Sequence, residues 1–319
     1  MKILLCTGKL VDYGLDALYD GLCRVLGSEN VLEYPHKPSL HGEKDVYFRW
    51  YPALFDYPIT KTDEEKVEML KNNEFDAILV GCISSGDFRR QQKASYKPNP
   101  LLNDFFELIR EKSKTIPTYI VDTDDLSDIN ETLMKQLNYK LYFKREYSKN
   151  KTYPSSVVPL SFAYSEKYIP KNINNVRRNN VLWLGKSIES REKYLDFYSK
   201  LKDVKINNYF RQDDYRKHLL WYTIGLSLRG RGDDTVRYYE VSAHGMLLLS
   251  EKINIVIEND FKDGETAVFF DSVEELKEKL DYCLANPEYA NKIAKAGREW
   301  LLKYHTTTAR AQEMLEKMK

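Results

Sequence analysis

One stretch of the sequence combines residue types that could bind a phosphate and a sugar. This stretch is RGRGDDTVRYYE, residues 229–240, and it directly follows the apolar run IGLSL. Arginine side chains donate paired hydrogen bonds to phosphate oxygens, and a carboxylate such as Glu240 accepts hydrogen bonds from sugar hydroxyls. Arg237 and Glu240 are three residues apart and would share one face of a helix. The stretch therefore predicts a site for a ligand with both groups, such as a nucleotide sugar.

The same residues also allow a purely structural interpretation. Asp233 or Asp234 could cap the helix, Arg237 and Glu240 could form a surface ion pair, and the two glycines could be turn residues. The spacing alone does not separate the two interpretations.

The surrounding sequence alternates between strand-length apolar runs and amphipathic helical patterns. KILLCTG begins one such series at the N terminus, and NVLWLGKS begins a second at Asn180. Alternation of this kind predicts parallel sheets with helices on both faces, and the polar segment around Pro170 predicts a domain boundary. We expect an α/β protein with two Rossmann-like doubly wound domains, residues 1–170 and 171–319.

In such a fold, ligands bind beyond the carboxyl ends of the strands. The loop RGRGDD would lie there, between the strand IGLSL and a helix that begins near Thr235. The N terminus of a helix attracts anions, because its backbone N–H groups are unpaired and its dipole is positive there. The loop and this helix end together predict a phosphate site.

Composition excludes several other classes of protein. The formal net charge is only +1, so no overall field attracts nucleic acid or an anionic membrane, and we expect no nucleic-acid partner. The four cysteines lie far apart without zinc-site spacing, and no apolar segment is long enough to be a transmembrane helix. We expect a reduced, cytoplasmic protein with no structural metal and no transmembrane segment.

Residues 215–312 resemble the C-terminal, donor-binding half of GT-B glycosyltransferases. The likeness is greatest to the spore-maturation-type branch of the group 1 glycosyltransferases and weaker to exostosin-type enzymes. In those families a strand and a glycine-rich loop precede an Arg-x-x-Glu helix, a glycine and an apolar strand. Arg237, Glu240, Gly245 and the run 246–249 match this order. The segments DGETAVFFDSVEELKEKL and NPEYANKIAKAGREWLLKYHTTTARAQEML are similar to the segments that follow in the family.

The resemblance implies a GT-B architecture whose last helix packs back on the N-terminal domain. It implies transfer of a sugar, of the hexosyl class, from a UDP- or GDP-sugar to a hydroxyl acceptor, with no metal or other cofactor. The donor-binding residues implied are Lys186, Arg229, Arg231, Asp234, Thr235, Arg237, Tyr238 and Glu240. Retaining members often carry an acid eight residues before the glutamate, but this sequence has Gly232 there, so the stereochemistry stays open.

The acceptor half offers only weak candidates for a general base. Asp87, in the loop after a predicted strand, and Asp12, after the first strand, are the candidates, although both are also typical turn or helix-capping residues. His36 and His41 could serve equally. Three carboxylates in the run 122–125 suggest a metal site, but a helix start with caps at Ser127 and Asp128 explains them as well.

Two other functions are compatible with parts of the sequence. A non-catalytic nucleotide-sugar-binding protein would show the same donor motif. A dinucleotide-dependent oxidoreductase is disfavoured, because neither TGKLVDYG nor LGKSIES has the GxGxxG pattern.

Overall fold

The described strands form two parallel β-sheets, each in its own unit of the chain. A computed structural model describes residues 1–8, 12–43, 54–81, 100–174, 176–185, 188–201 and 212–319. The first unit comprises Met1–Ser161 with Arg310–Lys319, and the second comprises Phe162–Ala309.

The first unit contains a six-stranded sheet of order β2-β1-β3-β4-β5-β6. Its strands are β1 (Ile3–Cys6), β2 (Val31–Tyr34), β3 (Ala77–Gly81), β4 (Thr118–Asp122), β5 (Tyr139–Lys144) and β6 (Val157–Pro159). Its helices are α1 (Tyr13–Leu26), α2 (Asp63–Lys71), α3 (Pro100–Lys112) and α4 (Glu131–Gln136), with 3-10 turns at Ser28–Asn30 and Pro38–Leu40. All neighbouring strands are parallel.

Apolar side chains cover the sheet of the first unit on the face that includes Leu4, Ile78, Val80 and Ile120, all of them buried. Helix ends in this unit are fixed by polar side chains. Asp12 caps α1 by accepting a hydrogen bond from the Leu15 amide at 2.9 Å. A buried sheet flanked by capped helices is what the alternating sequence predicts.

The second unit contains a four-stranded sheet of order β10-β9-β8-β7 among the described residues. Its strands are β7 (Arg178–Leu182), β8 (Tyr222–Ser227), β9 (Leu247–Glu251) and β10 (Val268–Phe270). Its helices are α5 (Glu192–Ser199), α6 (Gln212–Leu219), α7 (Val236–Ala243), α8 (Val273–Ala285) and α9 (Pro287–Tyr304), with 3-10 turns at Glu166–Tyr168 and Glu189–Arg191.

Helix α7 packs closely on β8 because β8 carries a glycine at the contact. A Cβ atom at Gly225 would lie 2.6 Å from Val241 Cγ1, too close for any larger residue. The helix ends at Ala243, and Gly245 follows with a φ of 68°, a conformation that glycine adopts without strain. Gly225 thus permits the close packing of α7, and Gly245 follows its end.

The chain ends in α10 (Thr307–Lys317), and its last ten residues belong to the first unit. The Tyr119 hydroxyl donates to the Met318 carbonyl at 3.1 Å, and Lys317 Nζ donates to the Pro159 carbonyl at 3.0 Å. Residues 310–319 therefore pack as part of the first unit although they follow the second in sequence.

The predicted fold class is confirmed: both units are parallel α/β structures. One local prediction is wrong, because α4 begins at Glu131 with Asn130 as its cap, and neither Ser127 nor Asp128 caps it. Within the part of the chain that the structure describes, every helix is too short or too polar to cross a membrane.

Candidate functional site

The candidate site lies at the carboxyl ends of two neighbouring strands of the second unit, β7 and β8. The chain leaves β7 through Trp183 and Gly185, and it leaves β8 through the loop 228–234 into α7. The two strands pair directly, with Leu182 opposite Gly225. The loops therefore meet at the edge of the sheet where parallel α/β proteins bind ligands.

Two guanidinium groups lie over the indole ring of Trp183. The Arg237 group is 5.7 Å and the Arg191 group 6.0 Å from the ring centroid. Arg191 also donates through Nε to the Arg229 carbonyl at 2.7 Å and through Nη2 to the Leu228 carbonyl at 3.2 Å. Burial, together with the positive charge of Arg237, lowers the pKa of Arg191 to about 10. The two positive charges repel each other, and a bound anion would offset this repulsion.

Gly185 allows Arg237 to approach the loop after β7. A Cβ atom at this position would lie 2.7 Å from Arg237 Nη1 and 3.2 Å from Trp183 Cζ2. The buried indole N–H of Trp183 has no hydrogen-bond acceptor among the described residues. Lys186, the next residue after Gly185 and a predicted donor-binding residue, lies outside the described residues.

The N terminus of α7 directly follows the loop 228–234. Thr235 is the N-cap residue, and its side chain makes no capping hydrogen bond within the described chain. Neither Asp233 nor Asp234 is the N-cap residue: Asp233 accepts from the Asn254 amide at 2.7 Å, and Asp234 accepts from the Phe162 amide at 2.6 Å and the Tyr239 hydroxyl at 2.9 Å. The first-turn amides of such a helix can bind an anion.

Glu240 is the buried acid of the site, with 4% of its surface exposed. Its Oε2 accepts a short hydrogen bond from the Tyr215 hydroxyl, and its Oε1 accepts one from the Tyr164 hydroxyl at 3.4 Å. Arg237 Nη2 donates to the same Tyr215 hydroxyl at 3.2 Å, so Tyr215 connects Arg237 to Glu240. Burial raises the pKa of Glu240, and the charge of Arg237 opposes this shift.

The other predicted donor-binding residues differ in their surroundings. Arg229 is held to Glu251, the last residue of β9, by an ion pair of 2.8 Å and by a hydrogen bond from its amide of 3.1 Å. Arg231 is exposed and makes no hydrogen bond or ion pair with the described residues. Tyr238 is buried, and its hydroxyl donates to Asp260 at 2.7 Å. The structure thus groups Arg237, Glu240 and Thr235, whereas Tyr238 contacts a different set of residues.

The candidate bases of the first unit are placed as follows. Asp12 accepts from the Leu15 amide and from the Thr123 hydroxyl at 2.7 Å, so both carboxylate oxygens have protein donors. Asp87 lies outside the described residues. In the run 122–125, Asp122 is buried against Lys144 Nζ at 2.9 Å and the Tyr142 hydroxyl, which indicates an internal ion pair. His36 and His41 lie together near Glu33.

Sequence reasoning missed four side chains of the candidate site: Arg191, Trp183, Tyr215 and Tyr164. Trp183 follows a predicted strand directly, which is a signal for a position near ligands. Arg191 lies in the polar segment ESREK, and no motif distinguishes it there. The two tyrosines reach Glu240 from segments far away in the sequence.

Comparison with protein families supports the resemblance stated above. The model of a family described as "Glycosyl transferase-like" matches residues 174–316, which include the described side chains of the candidate site except Tyr164. No curated protein matches the sequence closely enough to be recognised as a relative.

Several solved structures share the fold over the whole chain. An α-glucosyltransferase in complex with UDP and a 13-mer DNA aligns with a TM-score of 0.66 at 10% identity and covers 100% of this chain and 99% of its own. A glycosyltransferase from Rickettsia africae aligns with a TM-score of 0.59 at 12% identity, covering 100% and 97%. Anabaena HepE in complex with UDP and glucose aligns with a TM-score of 0.56 at 11% identity, covering 100% and 99%. At these identities the alignments show a shared fold, which is the GT-B fold of glycosyltransferases.

Proposed function

Because residues 174–316 carry a glycosyl transferase-like domain within a GT-B fold, we propose that this protein transfers a sugar from a nucleotide-sugar donor to a hydroxyl acceptor. One observation carries the proposal: the guanidinium groups of Arg191 and Arg237 lie on one indole ring, at the carboxyl ends of β7 and β8. Such a pair matches the two negative charges of a nucleoside diphosphate.

In this proposal the donor diphosphate binds Arg237, Arg191 and the first-turn amides of α7. Lys186 joins them from the loop after β7. Negative charge builds on the departing diphosphate when the bond to the sugar breaks, and fixed cations stabilise this charge in the transition state. Guanidinium groups can supply that stabilisation, so the proposed transfer needs no metal at the donor site.

Glu240 would bind hydroxyl groups of the donor. A ribose or sugar hydroxyl at Oε2 would replace the Tyr215 hydroxyl as the hydrogen-bond donor. Arg237 is bonded to the same tyrosine, at 3.2 Å, so this exchange would also free Arg237 for the diphosphate. The chain Arg237–Tyr215–Glu240 would thereby couple the diphosphate subsite to the sugar subsite.

The donor is proposed to be a UDP-sugar, with a hexose as the transferred group. The α-glucosyltransferase and HepE structures, which share this fold, contain UDP or UDP-glucose. The α-glucosyltransferase structure also contains DNA, but this chain has a net charge of only +1, which does not favour a nucleic-acid acceptor. We therefore propose a small or polymeric hydroxyl acceptor other than nucleic acid.

We propose that residues 1–170 provide the acceptor domain and residues 171–319 the donor domain. Asp87 and Asp12 stay the candidate bases, although Asp12 caps α1. The stereochemistry of transfer stays open.

The test is a thermal-shift screen of the purified protein against UDP, GDP, CDP, ADP and their sugars. A ligand that binds the native state raises the melting temperature as its concentration exceeds its dissociation constant. The screen is repeated with Arg237→Ala, with Glu240→Ala and with the control Arg178→Ala. Arg178 is an exposed arginine over Trp221 and Tyr222 at the opposite end of β7.

We expect a shift with UDP and UDP-sugars that the first two substitutions strongly reduce and the control retains. No shift with any nucleotide in a cooperatively melting protein would overturn the proposal. Slow release of UDP from a UDP-sugar would distinguish an enzyme from a binding protein. Binding without turnover across many acceptors would instead support the non-catalytic alternative.

A further inference from the structure

Three potential metal ligands converge in the first unit, at the carboxyl end of β2. They are Glu33, the third residue of β2, with His36 and His41 in the segment that follows. One ligand atom from each residue lies within 4.8 Å of the other two. Glu33 Oε1 is 3.1 Å from His41 Nε2 and 3.6 Å from His36 Nδ1. Two ligands of one tetrahedral Zn²⁺ ion are about 3.3 Å apart, given bonds of about 2.0–2.1 Å.

The outer nitrogen of each imidazole is already occupied. His41 Nδ1 lies 2.8 Å from the Tyr57 carbonyl, which can only accept, so this nitrogen carries the proton. His36 Nε2 lies 2.9 Å from the Glu43 carboxylate, which favours a proton there too. These partners leave the lone pairs on His41 Nε2 and His36 Nδ1, the nitrogens that lie 3.1 and 3.6 Å from Glu33 Oε1. Histidines that bind metals are oriented in this way by a carbonyl or a carboxylate on the other nitrogen.

The Nε2 atom of His41 is a buried polar atom whose hydrogen-bonding capacity is not used within the described residues. The His41 side chain is 2% exposed, and its Nε2 has no hydrogen-bond partner within the described residues. A neutral imidazole nitrogen and a carboxylate oxygen are both acceptors, and at 3.1 Å they repel unless a second proton on His41 or a metal ion lies at this contact. A buried polar atom without a partner is costly, so this one calls for a ligand.

Two more charged side chains, Lys66 and Asp63, lie beside the cluster of Glu33, His36 and His41. Lys66 Nζ lies 2.9 Å from Glu33 Oε1 and 3.2 Å from Asp63 Oδ1, so Asp63 gives the ammonium a second anionic partner. Both oxygens of Asp63 also accept from the His36 amide at 3.0 Å. Lys66 can therefore pair with Asp63 while Glu33 turns an oxygen toward a metal.

We propose that Glu33, His36 and His41 bind one Zn²⁺ ion, with a water molecule as the fourth ligand. A set of two imidazoles and one carboxylate suits zinc and other late first-row metals. The ion would tie the end of β2 to the segment 36–43 and, through Tyr57, to the segment 54–57. The site is separate from the donor-binding residues and does not depend on the proposed transferase activity.

The experiment uses the full-length protein without an affinity tag, stripped of metal by a chelator that is then removed. Zn²⁺ is titrated in competition with a chromophoric chelator, bound metal is counted by elemental analysis, and Co²⁺ serves as a spectroscopic substitute. The variants are His36→Gln, whose half-buried side chain tolerates replacement, and Glu43→Gln. The control is His218→Gln, a half-buried histidine of the second unit.

We expect one Zn²⁺ per chain and the visible absorption of tetrahedral Co²⁺. Glu43→Gln should weaken the affinity by about 10–100-fold and His36→Gln by more, whereas His218→Gln should have no effect. Absence of stoichiometric binding would overturn the proposal and leave a proton between His41 and Glu33. Equal affinity of wild type and His36→Gln, with both folded by circular dichroism, would also overturn it, because the metal would then bind elsewhere.

Discussion

The guanidinium groups of Arg191 and Arg237 share the indole ring of Trp183, at 6.0 and 5.7 Å from its centroid. A desolvated cation over an indole gains about 2 kcal/mol, which offsets part of the repulsion between the two charges. The remaining repulsion lowers the pKa of Arg191, in addition to the effect of burial. An anion between the groups removes the repulsion, so the arrangement favours a bound phosphate.

Arg191→Gln is expected to weaken UDP binding by about 10–100-fold. A hydrogen bond to a charged group contributes about 1.5–3 kcal/mol, and this variant loses both the bond and the charge. Isothermal titration calorimetry with UDP measures the effect. Arg178→Gln, which removes an arginine from the opposite end of the same sheet, should bind UDP like the wild type. Unchanged affinity in Arg191→Gln would exclude Arg191 from the phosphate site.

Gly185→Ala is expected to weaken UDP binding about tenfold or more while changing stability little. The new Cβ would lie 2.7 Å from Arg237 Nη1, and the flexible end of the arginine would move away from the site. A double-mutant cycle tests this cause: in the Arg237→Ala background, Gly185→Ala should add no further loss. Additive losses would mean that the glycine acts through the loop backbone.

The sequence predicted those features that depend on local patterns. Alternating apolar runs predicted both parallel sheets, and the Arg-x-x-Glu spacing predicted that Arg237 and Glu240 lie near each other. Tyr238 follows Arg237 by one residue, and a helix turns by about 100° per residue, so its side chain points elsewhere and reaches Asp260. Its proposed role in donor binding stays a prediction.

The features that the sequence did not predict depend on contacts between distant segments. Asp234 is buried, and it accepts a hydrogen bond from the Phe162 amide, which is 72 residues away in the sequence. Arg191 joins the site because its side chain reaches the carbonyls of Leu228 and Arg229, 37 and 38 residues later. The sequence indicates His36 and His41 only as candidate bases, because Glu33 lies in a strand-length apolar segment that does not suggest a metal ligand. The spacing of residues along the sequence does not indicate such contacts between distant segments.

Loss of stability between pH 7 and pH 5 is expected to depend on His244. Burial, followed by the charges of nearby arginines, lowers the pKa of this ring to about 4, whereas an exposed histidine has a pKa near 6.5. The unfolded chain therefore binds the proton more readily, so the contribution is present above pH 6.5 and is lost as the pH falls toward 4. The expected loss from pH 7 to pH 5 is about 2 kcal/mol.

Urea unfolding at both pH values measures this loss. His244→Gln can still donate to the Glu240 carbonyl, which His244 Nδ1 contacts at 2.9 Å, but it does not titrate. The variant should therefore show a pH dependence smaller by about 2 kcal/mol, since all other groups are common to both proteins. The same slope in both proteins would show that His244 is not the titrating group.

Glu240→Gln is expected to stabilise the protein and to abolish donor binding. Burial raises the folded-state pKa of Glu240 above its unfolded value, so the stability it contributes is present at low pH and is lost as the pH rises through the folded pKa. At pH 8 the neutral glutamine avoids this loss, so the melting temperature of the variant should be higher than that of the wild type. Glu251→Gln is the matched control, because this buried acid pairs with Arg229 at 2.8 Å and its replacement should lower the melting temperature. If Glu240→Gln is less stable than the wild type at pH 8, the buried carboxylate does not lower the stability of the folded protein, and this prediction is wrong.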